Sequence, residues 1–258
     1  MIVCFSGCGN SRYAAELLAS RLGERVTTMD VASVHPILDA SVEGRIIWVS
    51  PVHSWGLPPA VRRFIRNVSI EGTTGGIPHF LMCSCGDDAG LTASQWRKDM
   101  RRRGFRTVSA HTVIMPNTYV FLPGFDVDNG QTEKSKLEAV PSRIADIAHA
   151  IKCKSPIDSV TKGRFAWLKT HIVYPFFMRF LTSPKGFGAS DACVGCGVCV
   201  RECPMENITL DPVSMKPVWG KECAFCSGCY HRCPHNAISY GRMSKGKGQY
   251  YCRTGSKK

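Results

Sequence analysis

The sequence predicts an α/β domain with a doubly wound, parallel five-stranded sheet, followed by a small, cysteine-rich α+β domain. Over residues 1–152, short apolar runs alternate with helical patterns, which is typical of a parallel sheet flanked by helices. Over residues 189–241, two cysteine runs of identical spacing occur at an offset of 30 residues. Residues 153–188 are predicted to link the two domains, and residues 242–258 to form a basic, mobile tail.

The elements of the first domain follow from its hydrophobic periodicity. Strands are predicted at residues 2–5, 25–29, 45–50, 79–83 and 107–115, and helices at residues 11–22, 59–67, 91–103 and 133–152. Pro59 suits the first turn of the second helix, whereas Pro141 predicts a break or kink in the last one. Five strands alternating with helices in this way favour the sheet order 2-1-3-4-5.

The loop after the first strand is the first candidate binding site, and it reads Ser6, Gly7, Cys8, Gly9, Asn10 and Ser11. A loop rich in glycine and hydroxyl groups that enters a helix can bind phosphate through backbone N–H groups. It is neither a dinucleotide fingerprint nor a Walker loop. It resembles the flavodoxin phosphate loop, except that Cys8 replaces the usual Thr, and a thiol is a weak hydrogen-bond donor. The alternative is an ordinary glycine-containing turn.

Two further loops follow strands three and four, at the edge where ligands bind in such sheets. They contain Pro51, Val52, His53, Ser54, Trp55 and Gly56 in the first loop, and Cys83, Ser84, Cys85, Gly86 and Gly90 in the second. The flavodoxin resemblance implies that both contact the isoalloxazine ring of FMN, with Trp55 stacked on it and Tyr119 nearby. Packing of Trp55 on a helix, and of Tyr119 within its loop, are the alternatives. The first domain is therefore expected to be flavodoxin-like and to bind FMN.

The second domain carries the pattern of an iron–sulfur protein. Each run has the spacing Cys-x-x-Cys-x-x-Cys-x-x-x-Cys-Pro, and in two-cluster proteins the fourth cysteine of each run ligates the other cluster. One 4Fe-4S cluster is thus assigned to Cys193, Cys196, Cys199 and Cys233, and the other to Cys203, Cys223, Cys226 and Cys229. Residues 189–241 resemble two-cluster bacterial ferredoxins. Zinc sites use a different ligand grouping, and disulfides are not expected in a chain without a secretory signal.

Three short stretches, Phe-Ser-Gly-Cys-Gly-Asn-Ser-Arg-Tyr, Pro-Val-His-Ser-Trp-Gly-Leu-Pro-Pro and Met-Pro-Asn-Thr-Tyr, precede this ferredoxin pattern. Together they resemble the flavodoxin–ferredoxin fusion family of the EFR1 type, over nearly the whole chain. The resemblance implies FMN, two 4Fe-4S clusters and a redox role. It implies no substrate, because a fold and its cofactor do not determine one.

The linker contains an apolar stretch at residues 165–181. Pro175, Lys169 and Arg179 exclude a membrane-spanning helix there. The favoured interpretation is an amphipathic segment packed across both domains. A docking face for a partner or for a membrane surface is the alternative.

The formal charge of +13 falls to about +7 once two clusters and a flavin phosphate are counted. This favours acidic redox partner proteins, and no nucleic-acid-binding motif is present. A dimer is compatible with the sequence. The absence of a signal peptide and the many cysteines predict a reducing cytoplasm, and oxygen-sensitive clusters predict an anaerobic setting.

The predicted function is electron transfer between the clusters and FMN, which would connect one-electron with two-electron redox partners. The alternative is an FMN-dependent reductase of a small molecule, supplied by its own clusters. The sequence assigns no catalytic residue.

Overall fold

The computed structural model describes residues 1–72 and 76–252. The first domain contains, in chain order, β1 Ile2–Cys4, α1 Asn10–Leu22, β2 Val26–Thr28, β3 Ile37–Asp39, β4 Ile46–Pro51, α2 Pro59–Asn67, β5 Ser69–Glu71, β6 His79–Cys85, α3 Thr92–Arg102, β7 Thr107–Ile114 and α4 Gly130–Lys152. Five of these strands form one parallel sheet in the order β2-β1-β4-β6-β7. The predicted order 2-1-3-4-5 is confirmed. In addition, β3 and β5 form a separate parallel pair that the sequence did not predict.

The sheet separates two hydrophobic cores because successive strand residues point to opposite faces. In β1, Ile2 and Cys4 pack with residues of α1 and α4, whereas Val3 packs with residues of α2 and α3. Helices therefore cover both faces, and the carboxyl ends of the strands are left for the loops that form the site.

Of the predicted break or kink at Pro141, the break is wrong, since α4 continues through this residue, and the kink stays a prediction. Pro141 itself is exposed, while Val140 and Ile144 on either side of it are buried. Both join the core that α1 shares with the sheet. Tertiary packing on both sides of the proline outweighs its cost within a helix, about 3 kcal/mol.

The linker forms one nearly continuous helical segment made of α5 Ala166–Leu168, a π turn Lys169–Val173 and α6 Tyr174–Phe180. The π turn ends two residues before Pro175, whose ring would clash with the carbonyl four residues earlier in a regular α-helix. Thr170, Tyr174 and Phe177 are buried on one side of this segment. The Thr170 hydroxyl donates to the Trp55 carbonyl, and the Phe177 ring packs on Phe225. The segment therefore contacts both domains.

The second domain contains β8 Phe187–Ala189, α7 Val198–Arg201, β9 Ile208–Leu210, β10 Pro217–Trp219, α8 Gly228–His231 and β11 Ile238–Tyr240. The strands form two antiparallel pairs, β9 with β10 and β8 with β11. Each short helix carries the third cysteine of one run, so the two runs adopt similar local structures. The core of this domain also includes Val120, Phe121 and Phe177, which precede it in the chain.

The chain after β11 is not a mobile tail as far as residue 252, and that expectation is wrong for this stretch. Ser244, Tyr250 and Cys252 are buried. The Lys247 ammonium donates to the carbonyls of Val120 and Leu122 at 2.9 and 2.5 Å. These contacts attach the stretch to both domains. Residues 253–258, the rest of the predicted tail, lie outside the described residues.

Among the helices of residues 1–72 and 76–252, none combines the length and the apolarity that crossing a bilayer requires.

Candidate redox site

The four cysteines assigned to the first cluster line a single cavity, together with Pro217, Pro234 and Ile238. Cys193, Cys196 and Cys199 come from the first run, and Cys233 reaches the cavity from the second. The cavity lies at the surface, since Cys196 is exposed and the side chain of Val194 is 63% exposed. Four thiols around one cavity, with no carboxylate among its lining residues, fit the donor set of a 4Fe-4S cluster.

The cysteines assigned to the second cluster are Cys203, Cys223, Cys226 and Cys229. Burial raises the pKa of the Cys229 thiol to about 12, and the nearby thiols of Cys223 and Cys203 raise it further. Burial likewise raises the pKa of the Cys226 thiol, with added repulsion from the thiols of Cys8, Cys229 and Cys223. These thiols therefore influence one another and are half-buried, and iron binding would be needed to keep them as thiolates.

Both runs direct a backbone N–H group at the sulfur of their fourth cysteine. Asn207 donates to the Cys203 sulfur at 3.5 Å, and Ala237 donates to the Cys233 sulfur at 3.3 Å. Each donor follows its cysteine by four residues. Hydrogen bonds of this kind stabilise a thiolate and tune the reduction potential of a cluster. No disulfide joins the described cysteines.

The phosphate loop has the donor groups that an anion requires. The backbone N–H groups of residues 7–11 donate to no acceptor within the described part of the chain. Gly9, with φ of 90°, is the residue before the 13-residue helix α1, and the N–H of Arg12 is already bonded to the Ser6 hydroxyl. Buried N–H groups at a helix N-terminus favour a bound anion. The loop thus fits the phosphate of FMN.

Cys8 does not direct its thiol at this group of N–H donors. Its sulfur donates to the Cys226 carbonyl at 3.3 Å and lies 3.5 Å from the Ser227 hydroxyl. Burial raises the pKa of the Cys8 thiol to about 11, so it is protonated near neutral pH and suited to donating. The residue that departs from the flavodoxin pattern therefore contacts the second cysteine run.

The loop after β4 forms a tight turn. His53 and Gly56 exchange backbone hydrogen bonds of 2.9 and 3.1 Å, and Ser54 and Trp55 between them have φ of 46° and 65°. Pro51 and Val52 lead into the turn, and the Val52 N–H donates to the Ser84 carbonyl.

The Trp55 ring faces the Lys169 ammonium, 5.0 Å from its centroid, and this ammonium also pairs with Asp88 at 2.6 Å. Gly90, with φ of 54°, lies against Trp55 and Thr170, so that a Cβ atom there would be 2.6 Å from the Thr170 hydroxyl. The linker helix thus packs against two of the predicted flavin loops, and stacking of Trp55 on a flavin stays a prediction.

The loop after β6 meets the phosphate loop and the loop after β7. The Ser84 hydroxyl is 2.8 Å from that of Ser11, whereas Cys83 and Cys85 are buried. The Asn117 side chain lies where a Cβ atom of Gly86 would be, and it is fixed by Asp128.

Tyr119 packs its ring in edge contacts against three phenylalanines, Phe121, Phe125 and Phe177. Its hydroxyl is buried without a hydrogen-bond partner among the described residues. Its side-chain contacts are thus those of the alternative interpretation, a packed loop tyrosine. A contact with the flavin stays a prediction.

Sequence reasoning missed the residues that bring the two domains together at the phosphate loop. A Cβ atom on Gly7 would lie 2.5 Å from the Cys226 carbonyl oxygen, and one on Gly9 would lie 2.5 Å from that of Cys252. The Cys252 N–H also donates to the Cys8 carbonyl at 3.0 Å. No local pattern reports such contacts, because the partners are more than 200 residues apart.

A second missed group is a series of hydrogen bonds from α8 to α1. The Tyr250 N–H donates to His231 Nδ1 at 3.1 Å, and the Tyr250 hydroxyl lies 3.0 Å from Asn10 Oδ1. His231 Nε2 lies 2.7 Å from the Thr118 carbonyl. Burial lowers the pKa of His231 to about 4, so the ring is neutral and can accept at one nitrogen while donating at the other.

Comparisons with known proteins agree with the two-domain structure. A family model described as a flavodoxin domain matches residues 1–119, and one described as a 4Fe-4S dicluster domain matches residues 192–238. The B subunit of polysulfide reductase from Wolinella succinogenes is 34% identical over 67 residues, which cover 22% of the present protein. The match covers 34% of that relative's own length.

Similar solved structures include the Streptococcus pneumonia TIGR4 flavodoxin, which is 16% identical in sequence and has a TM-score of 0.32. The match covers 57% of this protein and 97% of that flavodoxin. The NAD(P)H:quinone oxidoreductase from Methanothermobacter marburgensis has 14% identity, with 58% and 94% covered and a TM-score of 0.36. The matched family models and the strand order establish a flavodoxin-like α/β domain and a small ferredoxin-like domain. The protein therefore combines a flavodoxin domain with a 4Fe-4S dicluster domain, which supports a role in electron transfer with FMN and iron–sulfur clusters.

Proposed function

We propose that this protein is an electron relay in which two 4Fe-4S clusters connect a redox partner at the protein surface with FMN in the flavodoxin domain. The first cluster would be bound by Cys193, Cys196, Cys199 and Cys233, and the second by Cys203, Cys223, Cys226 and Cys229. The domain order and the loop motifs make membership of the EFR1-type flavodoxin–ferredoxin fusion family part of this proposal.

The contact between Cys226 and the phosphate loop is the observation that carries the proposal. The Cys8 sulfur donates to the Cys226 carbonyl at 3.3 Å, and the Cys226 sulfur would be 3.1 Å from a Cβ atom on Gly7. A proposed ligand of the second cluster thus contacts the loop proposed for the FMN phosphate. The first cluster's cavity is at the surface, near exposed Cys196. This order of sites suits electron transfer from the surface through the two clusters to FMN, or in the reverse direction.

The protein residues at this junction position the two sites and exclude water. Cys8, Cys226 and Ser227 are packed together, and Cys8 and Ser227 are 7% exposed. Tyr250 and Cys252 cover the other side of the phosphate loop. When bound, FMN accepts or donates one or two electrons, whereas each cluster exchanges one. A dry, fixed junction reduces the rearrangement that accompanies each transfer.

Acidic redox partners and a place in the cytoplasm are both parts of the proposal, and the charge of the protein supports the first of them. The net charge of about +7 that remains with both clusters and FMN bound would draw an acidic partner by electrostatic steering, most strongly at low ionic strength.

The small-molecule reductase alternative needs a proton donor beside the flavin, and the candidate side chains are poorly suited. Burial raises the pKa of Cys85 to about 12 and also raises that of Cys83 and of Tyr119. Burial lowers the pKa of His53 to about 4, so this ring is neutral at pH 7. None of these side chains therefore titrates near pH 7, where a general acid is most effective.

The composition of the protein is the first test. Anaerobic purification with iron, sulfide and flavin measured together is expected to yield about eight irons and one FMN per polypeptide. A preparation with iron but no flavin, which also fails to take up added FMN, would rule out the relay.

The order of the sites is tested with Cys196→Ser and Cys226→Ser, each checked first for flavin content. A one-electron donor protein should reduce the flavin rapidly in the wild type and at least about tenfold more slowly in both variants. Free FMN reduced by the same donor gives the reference rate. Equal flavin reduction in all three proteins would show that electrons bypass the clusters.

A further inference from the structure

The linker helical segment exposes a continuous apolar stripe on the side opposite its buried face. Thr170, Tyr174 and Phe177 face the protein. Exposed apolar side chains recur every three or four residues along the other side, and they are Phe165, Leu168, Ile172, Phe176 and Phe180, with Trp167 and Val173 beside them. Their exposed fractions lie between 36% and 68%. The stripe extends for about 22 Å along the helix axis.

The chain segment that carries this stripe has only positive charges of its own. Residues 159–190 contain five lysines and arginines and no Asp or Glu. Lys169 is paired with Asp88, but Lys162, Arg164, Arg179 and Lys185 are exposed and form no ion pair with described residues. The Arg164 and Arg179 guanidinium groups lie over Phe165 and Phe180, 5.4 and 5.5 Å from the ring centroids, at the two ends of the stripe.

We propose that the stripe is a peripheral binding surface for an anionic lipid bilayer, which would place this redox protein at a membrane. A helix that exposes Trp, Phe, Leu and Ile, with Lys and Arg beside them, has the composition of interfacial helices. The aromatic and aliphatic side chains would enter the boundary between headgroups and acyl chains. The four unpaired cations would lie at the level of the lipid phosphates.

Two features of the stripe favour a bilayer over the other possible occupants. A second copy of the protein would bring four unpaired cations against four more, and like charges in contact oppose association. A protein partner would have to match the cations and the exposed polar groups beside the stripe, His171 and the Trp167 N–H, one by one. A bilayer presents hydrocarbon under a continuous layer of phosphates and requires no such match.

The proposal is tested by sedimentation of the cofactor-loaded protein with vesicles, under anaerobic conditions. The vesicles contain phosphatidylcholine alone, or with about one-third phosphatidylglycerol. We expect binding to the anionic vesicles that weakens as salt increases. Phe176→Ser/Phe180→Ser should lower the partition coefficient by roughly tenfold or more. The matched control is Val213→Ser/Val218→Ser, which removes two side chains that are 92% and 50% exposed elsewhere and should bind like the wild type.

Trp167, 62% exposed, supplies an independent measurement. Brominated lipids should quench its fluorescence, and Trp167→Phe should lose that part of the quenching. Cluster absorbance and melting temperature establish that every variant is folded. The proposal is overturned if the wild type stays in the supernatant with anionic vesicles, which would favour an acidic protein partner. It is also overturned if light scattering shows a dimer that Phe176→Ser/Phe180→Ser abolishes, because a second copy then covers the stripe.

Discussion

Gly7→Ala is the substitution that tests most directly how closely the two domains meet. A Cβ atom at residue 7 would lie 2.5 Å from the Cys226 carbonyl oxygen and 2.7 Å from the Cys226 Cβ atom. Ordinary van der Waals contact begins at 3.4 Å, so the phosphate loop and the Cys226 backbone must separate by about 0.9 Å. The atoms that must move are the backbone oxygen and the Cβ atom of Cys226, which cannot rotate out of the way as the end of a flexible side chain can.

The expected cost follows from measured effects of overpacking. Inserting one carbon atom into a close-packed contact typically costs about 1–3 kcal/mol. For a protein of this size, that corresponds to a decrease in melting temperature of roughly 2–12 °C. The variant should also bind FMN less tightly, because the N–H groups of residues 7–11 would be displaced with the loop.

The assay compares wild type, Gly7→Ala and Gly44→Ala as cofactor-loaded proteins, by thermal unfolding and by the flavin retained after gel filtration. Gly44 is exposed, and a Cβ atom there meets no heavy atom within 4 Å, so Gly44→Ala should match the wild type. A melting temperature for Gly7→Ala within about 1 °C of the wild type, with full flavin retention, would refute the close contact.

Three further substitutions probe other parts of the structure. Asp99 is fully buried and accepts two hydrogen bonds from Arg62. Asp99→Ala should therefore destabilise the protein by about 3–5 kcal/mol, measured by thermal unfolding. The control is Asp191→Ala, which removes an exposed ion pair with Lys216 and should leave the melting temperature unchanged. Burial lowers the pKa of His79 from 6.5 to about 4. Its contribution to the free energy of unfolding is therefore complete above pH 6.5 and falls by about 1.4 kcal/mol per pH unit as the pH decreases to 4. His79→Gln should flatten that decline in a series of melting temperatures, and an unchanged slope would contradict the assignment. Tyr250→Phe removes the hydrogen bond from the Tyr250 hydroxyl to Asn10 in the phosphate loop. It should raise the Kd for FMN roughly fivefold in a fluorescence titration. Equal affinity would show that Tyr250 does not support the phosphate loop.

Much of the fold could be predicted because it is encoded in local patterns. Alternating apolar runs and helical stripes indicated the five strands, and their number and order favoured the sheet that the structure contains. The cysteine spacing likewise predicted that Cys233 of the second run joins the first three cysteines of the first run as ligands of one cluster. In the structure, these four cysteines line one cavity. The small β3–β5 pair was not predicted, because three-residue strands carry too little periodicity.

The site was only partly predictable. Its loops could be found from the sequence, since the carboxyl ends of parallel strands meet at one edge of a sheet. The residues that contact these loops could not be found in this way, because they come from distant segments of the chain. The contacts are those of Lys169 with Trp55, Asn117 with Gly86 and Cys226 with Gly7. The same holds for residues 244–252, whose basic and glycine-containing composition indicated mobility but whose side chains are packed against both domains.

The sequence by itself determined the two kinds of domain, the strand order and the types of residue available to bind FMN and iron. Those properties depend on periodicity and spacing over a few tens of residues. Tertiary structure alone decided that the second cysteine run lies against the phosphate loop, and that the linker helix has one buried and one exposed apolar side. Such contacts depend on the complementary shapes of surfaces far apart in the sequence, and no local pattern records them.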